Sequence, residues 1–503
     1  MTDMGNAITI TAACLAGSII IWMAEKNREK NFNYTLVPFG ALWIASNCAF
    51  IAIPAIAKSI YGVSPFHSRS LANLSLGRQT EAISIGIILF SIGIFTYSKA
   101  IVKTVRKDNQ KHISKRIKRT RIQIKNAART HANELGFIAI STSIAGIFFE
   151  AHTRFSSYLQ EGIISKAITA SMIREVSSNA FVFASIAALT HSHENSGKKE
   201  KITTTLFLFL ILCIDVKTGS RSILLAHLSC LFCGAVIFKK FKKNQILKIS
   251  AIALCTLLIL IPAGETLRIA RSKATFFRDD PIYGIKTIAA STDFRVNVES
   301  LVTHNRRNEF SDAAFLDQST CKELLRSEKY SQANRESRES KEIERCIDHA
   351  ESNIGFHDIW ETKTNSNDGG VSQISDKNRW NKNILLLGFS QTEISKGETL
   401  NLYADLFQRG SLQAVGLWFL LMGISAKALE SLITNATCRV PPIYGYMLAS
   451  TPLFILNGSA SYNTEFFIFG FPKLIIKLIA ISVVTAGITI FLKKLVLKLD
   501  NQA

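Results

Sequence analysis

The sequence predicts an all-α polytopic membrane protein of about eleven transmembrane helices, with one large loop carrying short helices between spans eight and nine. Three observations lead there. Hydrophobic residues make up 48% of the 503 positions, and mean hydropathy is positive. Apolar windows near the roughly 20 residues that cross a hydrocarbon core recur along most of the chain. Lysine and arginine clusters fall in alternate loops, as they do where basic loops stay on the cytoplasmic side.

The spans fall at 6–24, 36–57, 81–98, 135–151, 176–191, 202–217, 222–238, 249–263, 411–429, 443–457 and 473–492. The fifth is the least apolar, with Arg174 and Glu175 at its mouth and Ser and Asn diluting its start. Residues 1–263 therefore hold spans one to eight, with a basic cytoplasmic loop at 99–130. Residues 264–410 form the outer loop region, and 411–503 hold the last three spans.

The formal charge of +21 would suit a nucleic-acid ligand, but its distribution points to membrane orientation instead. Basic residues follow span one at Lys26 to Lys30 and span three at Lys99 to Arg129, where 12 Lys/Arg face the single acid Asp108. Others follow span five at Lys198, Lys199 and Lys201, and span seven at Lys239, Lys240, Lys242, Lys243 and Lys248. Lys427 and Arg439 follow span nine, and Lys493, Lys494 and Lys498 close the chain. All these loops come out cytoplasmic in one topology, with the N-terminus outside and the C-terminus inside. Within 99–129, Val102, Val105, Ile113, Ile117 and Ile124 recur near helical spacing among the cations, which predicts a helix lying on the anionic inner leaflet and in contact with membrane lipids rather than nucleic acid. Met1 to Gly5 lacks a basic n-region, so the first apolar stretch reads as a span rather than a cleaved signal.

Seven of the nine cysteines lie in or beside predicted spans, where a thiol behaves as a small apolar group. Cys321 and Cys346 flank the charged, helix-forming part of the outer loop; a disulfide in an oxidising compartment and two separate thiols are the alternatives. No CxxC or Cys/His spacing suggests zinc, and His191, His193 and Glu194 match no strong metal spacing. No metal site, glycine-rich phosphate loop or other cofactor signature is present.

The outer face is rich in arginine, against the usual bias: Arg69, Arg78, Arg154, Arg174, Arg221, Arg268, Arg271, Arg278, Arg295 and Arg409. A guanidinium stays charged and grips phosphate bidentately, so such a set suits a lipid-linked pyrophosphate. Pairing with Glu161, Glu175, Glu265, Asp279, Asp280 or Asp293 is the structural alternative for any one of them. Arg221 stands apart because it occupies a turn of a few residues between spans six and seven.

The stretch Thr218-Gly219-Ser220-Arg221-Ser222-Ile223-Leu224-Leu225-Ala226 resembles the signature of bacterial O-antigen polymerases and O-antigen ligases, the Wzy/WaaL group of GT-C-type membrane glycosyltransferases. The arrangement of signature, long outer loop and re-entry at Leu400 to Gly423 is similar too. Where the ligases carry a His-Asn pair, this chain reads Gly397-Glu398-Thr399-Leu400-Asn401-Leu402-Tyr403-Ala404-Asp405-Leu406-Phe407-Gln408-Arg409-Gly410, without histidine. That pattern resembles the polymerase members. His304, in a His-Asn pair of its own, lies too early in the loop.

The resemblance implies transfer of a growing glycan from undecaprenyl pyrophosphate to another lipid-linked repeat unit, on the periplasmic face of a bacterial inner membrane and without a metal or other cofactor. It also implies an undecaprenyl-pyrophosphate-linked oligosaccharide and a chain-length regulator as partners. Arg221 with Arg268, Arg271, Arg295 and Arg409 would neutralise the departing diphosphate. Glu398 and Asp405 are the acceptor-side carboxylates, seven residues apart and so on one face of a helix; an ion pair with Lys396 or Arg409 is their structural alternative. An O-antigen ligase and a lipid-linked sugar flippase or transporter are the other functions in play. A transporter would show internal repeats and charges at mid-membrane, and neither stands out.

Overall fold

The computed structural model describes residues 2–25, 39–61, 69–104, 107–148, 164–191, 314–316, 326, 401–459, 464 and 466–501. Among them there is no strand. The helices are α1 (Thr2–Glu25), α2 (Phe39–Asn47), α3 (Ile53–Tyr61), α4 (Arg69–Thr104), α5 (Lys107–Thr130), α6 (Ala132–Phe148), α7 (Ile164–His191), α8 (Leu402–Thr437), α9 (Pro442–Ser459) and α10 (Phe471–Asp500). A π turn at Cys48–Ala52 joins α2 to α3, and another at Phe466–Gly470 leads into α10. Four stretches are long and apolar enough to cross a membrane: Met4–Glu25, Leu71–Ala100, Leu402–Thr437 and Phe467–Asp500. They coincide with expected spans one, three, nine and eleven. Residues 39–57 of span two, 135–148 of span four and all of spans five and ten are also helical, whereas spans six, seven and eight lie outside the described residues.

These helices form because long apolar runs satisfy every backbone group internally, the one open-ended solution available in hydrocarbon. Their outward faces stay apolar, as at Leu15, Trp22, Leu417 and Phe491. That distribution is what lipid, rather than water, accepts as solvent.

Two clusters build the interior. The first unites α1, α2, α3, α4 and α8 around Trp43, Phe90, Tyr403 and Phe419. Trp43 stacks on Phe90 at 4.1 Å between ring centroids and meets Phe419 edge-on at 5.4 Å. The second unites α5, α6, α7, α9 and α10 around Phe181, Phe183, Tyr446 and Met447. There the Tyr446 hydroxyl donates to the Phe183 carbonyl, and the Ser143 and Ser177 hydroxyls share a hydrogen bond of 2.8 Å between α6 and α7.

Contacts along the first cluster fix the directions of its helices. Gly17 lies against Ile87 and Ser91, Gly40 against Ile21 and Ile94, and Gly93 against Leu420 and Gly423. Hence α1, α4 and the long part of α8 run parallel, with α2 and α3 antiparallel between them. This alternation matches the up-and-down order expected from the basic loops. At the end where α1 finishes, Lys427 of α8 bonds Glu25 at 2.6 Å and Glu430 at 2.9 Å. The same end collects Arg116, which donates to the Cys438 carbonyl at 3.4 Å, and Lys493, which donates to the Thr130 carbonyl at 3.3 Å.

Helices α4 and α8 approach backbone to backbone. A Cβ added at Gly93 would overlap the Leu420 carbonyl oxygen, and one at Gly423 would overlap the Phe90 carbonyl oxygen. Facing glycines let the backbones meet directly, the device that membrane helices use where apolar burial gives no advantage over lipid.

The basic segment is helical as expected, but its environment differs. Ile117 and Ile124 are buried, and Ile124 packs on Gly445 of α9. Backbone bonds from His131 to Ala127 and from Leu135 to His131 carry α5 almost without interruption into α6. Ile117 and Ile124 are therefore spent on protein, while the side chains of Val102, Val105 and Ile113 lie outside the described residues.

Candidate functional site

The candidate site lies where α8 reverses. Gly410 (φ −175°, ψ 34°) and Ser411 (φ 58°, ψ −159°) break the helix into a short arm, 402–409, and a long arm, 412–437. In a continuous helix Tyr403 and Phe419 would stand roughly 24 Å apart, at 1.5 Å per residue. Their rings instead stack at 4.4 Å. The short arm thus folds back beside the long one and points its N-terminus into the bundle.

That buried N-terminus is capped within the chain. Asn401 has extended backbone, and its side chain accepts from the Ala404 amide at 2.9 Å, while Asp405 occupies the first turn. Both choices favour a helix start, the first by satisfying an amide and the second through the helix dipole. The buried Tyr403 ring also lies over Gly86 of α4, and its hydroxyl donates to Asn47 Oδ1 at 2.9 Å. Beside Asn47, the Cys48 and Cys14 sulfurs approach to 3.3 Å.

Two residues on, about 200° around the helix, Asp405 points away from Tyr403. Its Oδ1 accepts from Arg409 Nε at 3.1 Å and its Oδ2 from the Thr464 amide at 2.6 Å. The Asp405 and Arg409 side chains are 7% and 3% exposed, so this is a buried pair. Burial of an ion pair is costly unless extra hydrogen bonds complete it, and the Thr464 amide supplies one. Both carboxylate oxygens are thereby occupied by donors, an arrangement suited to holding Arg409 in place. Phe407 of the same arm meets Phe315 at 5.4 Å, which brings residues 314–316 of the outer loop region against it.

Of the residues singled out from sequence, Asp405 and Arg409 are brought together and prove to be each other's partners. Arg221, Arg268, Arg271, Arg295, Glu398, Cys321 and Cys346 lie outside the described residues. Sequence reasoning missed Tyr403, Asn47 and Thr464. The Asn401 cap was detectable as an Asn ahead of an apolar helix; nothing local links Thr464 to Asp405. Among the described residues no group of three or more His, Cys, Asp or Glu could hold a metal.

At the opposite end of the bundle the His131 imidazole titrates below its ordinary value, first because it is desolvated and then because of the Lys493 ammonium, with Glu134 opposing. Its Nδ1 is buried without a hydrogen-bond partner among the described residues.

No family model, curated protein or solved structure matches the chain.

Proposed function

We propose that this chain is a membrane glycosyltransferase that polymerises a surface polysaccharide, moving a growing glycan from undecaprenyl pyrophosphate onto another lipid-linked repeat unit. The observation that carries this reading is the Asp405–Arg409 pair. It lies in the segment whose sequence resembles the polymerases, directly before a span, and it fixes a guanidinium through Asp405 and the Thr464 amide. In this reading Arg409 joins Arg221, Arg268, Arg271 and Arg295 around the diphosphate, where preorganised cations stabilise the departing charge. Asp405 serves as the positioning residue of Arg409, and Glu398 remains the acceptor-side carboxylate.

The same reading takes about eleven spans, a periplasmic N-terminus and a cytoplasmic C-terminus in a bacterial inner membrane. The outer loop region would receive the lipid-linked oligosaccharide, with a chain-length regulator as a partner. The cluster of buried charge formed by Lys427, Glu25 and Glu430 lies at the end of α1 rather than at mid-span, which favours a transferase over a transporter.

Deletion of the gene in its host, followed by gel analysis of the surface polysaccharide, tests the proposal. Single-repeat product, rescued by the wild-type gene but not by Arg221→Ala or Arg409→Ala, is the expected result. Long lipid-linked chains with none transferred to lipid A would favour a ligase, and an unchanged ladder would overturn both.

A further inference from the structure

One end of the bundle carries an exposed basic collar. Lys115, Arg116, Lys118 and Arg119 are exposed on α5, Arg439 on the turn after α8, and Lys494 and Lys498 on α10. The bond from Lys493 to the Thr130 carbonyl sets the register between α10 and α5, and the bond from Arg116 to the Cys438 carbonyl ties α5 to the α8–α9 turn. These two bonds place the cations of α5, the α8–α9 turn and α10 at the same end of the bundle.

Apolar exposure fixes the level of this collar. Phe491, Leu495, Val496, Leu497 and Leu499 are all exposed large hydrophobic residues, interleaved with Lys494 and Lys498. On α5, Ile122 among the cations is likewise 54% exposed. A band where exposed apolar side chains alternate with long cations is the boundary between hydrocarbon and headgroups, because lysine and arginine can extend a charge from an apolar stem. Ile124 of α5 is already packed on Gly445 of α9, so the cations make up most of what α5 offers outward there.

We infer that the α5 and α10 collar is a binding surface for anionic phospholipid headgroups, engaged electrostatically by a helix clamped to the bundle. An anionic surface attracts each lysine or arginine that lies within a Debye length of it. Lys118, Arg119, Lys494 and Lys498 are the residues expected to carry most of it.

Retention of fluorescent phosphatidylglycerol by the detergent-purified full-length protein tests this surface, with unlabelled phosphatidylcholine as competitor. The expected result is retention that phosphatidylcholine does not compete away and that high salt weakens. The combined variant Lys118→Gln, Arg119→Gln, Lys494→Gln and Lys498→Gln should retain the lipid at least about tenfold more weakly, while Lys473→Gln, exposed at the opposite end of α10, leaves retention unchanged. Equal competition by phosphatidylcholine, or unchanged retention in the combined variant, would overturn the inference. So would tight binding of soluble polyglutamate that phosphatidylglycerol fails to displace, since the surface would then belong to an acidic protein. All four substituted side chains are exposed, and unchanged thermal unfolding of the variant confirms that a loss of lipid reflects charge rather than misfolding.

Discussion

Tyr403 stacks on Phe419 across the reversal of α8, with ring centroids 4.4 Å apart and planes within 21°. This contact, with the Tyr403 hydroxyl on Asn47 Oδ1, anchors the short arm inside the bundle. Tyr403→Phe should keep the stack but leave a buried amide oxygen without its donor, at about 1–3 kcal/mol. Tyr403→Ala should cost more, about 3–5 kcal/mol, because a large buried ring is lost. Thermal unfolding in detergent ranks the two, and equal losses would show that the stack does not anchor the arm.

The turn that allows this contact carries its own strain. Ser411 is the one non-glycine residue with positive φ among the described residues, and its ψ places it in a region adopted almost solely by glycine. Ser411→Gly should therefore raise stability by roughly 1 kcal/mol. Denaturation midpoints of the two proteins decide it, and a lowered midpoint for the glycine variant would contradict the backbone geometry.

At the α4–α8 crossing, Gly93→Ala or Gly423→Ala would press a methyl group into a backbone carbonyl that cannot rotate away. Overpacking of this kind costs about 1–3 kcal/mol or more, and the yield of folded protein should fall with it. Gly487 of α10 has nothing within 4 Å of its added Cβ, so Gly487→Ala should be neutral or stabilising, by up to about 1 kcal/mol. Similar losses at all three sites would rule out the close crossing.

Lys427 tests the value of buried charge. Replacing it by Met would leave Glu25 and Glu430 without the ammonium that bridges them, and such losses run to about 3–5 kcal/mol. Combining Lys427→Met with Glu430→Gln should recover part of that loss, as a double-mutant cycle would reveal. Strict additivity of the two changes would mean that the residues do not interact.

His131 gives the molecule a dependence on pH. Its imidazole titrates below the ordinary value of about 6.5, so in mildly acidic solution the unfolded chain binds the proton more readily than the folded one. The stabilising contribution is complete above that ordinary value and is lost as pH falls toward the folded one. Unfolding temperatures followed downward from neutral pH should show a decline that His131→Gln reduces; an identical decline in the variant would assign it to other groups.

Much of the architecture was legible in the sequence because hydropathy and charge are local properties. The residues of α1, α4, α8 and α10 announced their apolar lengths, and Glu25, Arg116, Lys427 and Lys493 do gather at one end, as the alternation of basic loops required. The stripe of α5 was also legible as a helix. Its occupant was not, since periodicity states that a face needs covering without stating whether lipid or Gly445 covers it. At the candidate site the sequence singled out Asp405 and Arg409 and allowed that they might pair, a local choice at helical spacing.

The chain by itself determined a helical, membrane-spanning class and the alternating course of α1, α2, α4 and the long arm of α8, since both follow from transferring side chains and backbone groups out of water. Only the tertiary structure decided that α8 doubles back at Gly410 and Ser411, that Tyr403 meets Phe419, and that Thr464 completes the coordination of Asp405. These depend on two backbone dihedrals and on contacts between residues far apart in the chain. No periodicity, composition or charge count encodes such relations, because each arises from packing among several helices at once.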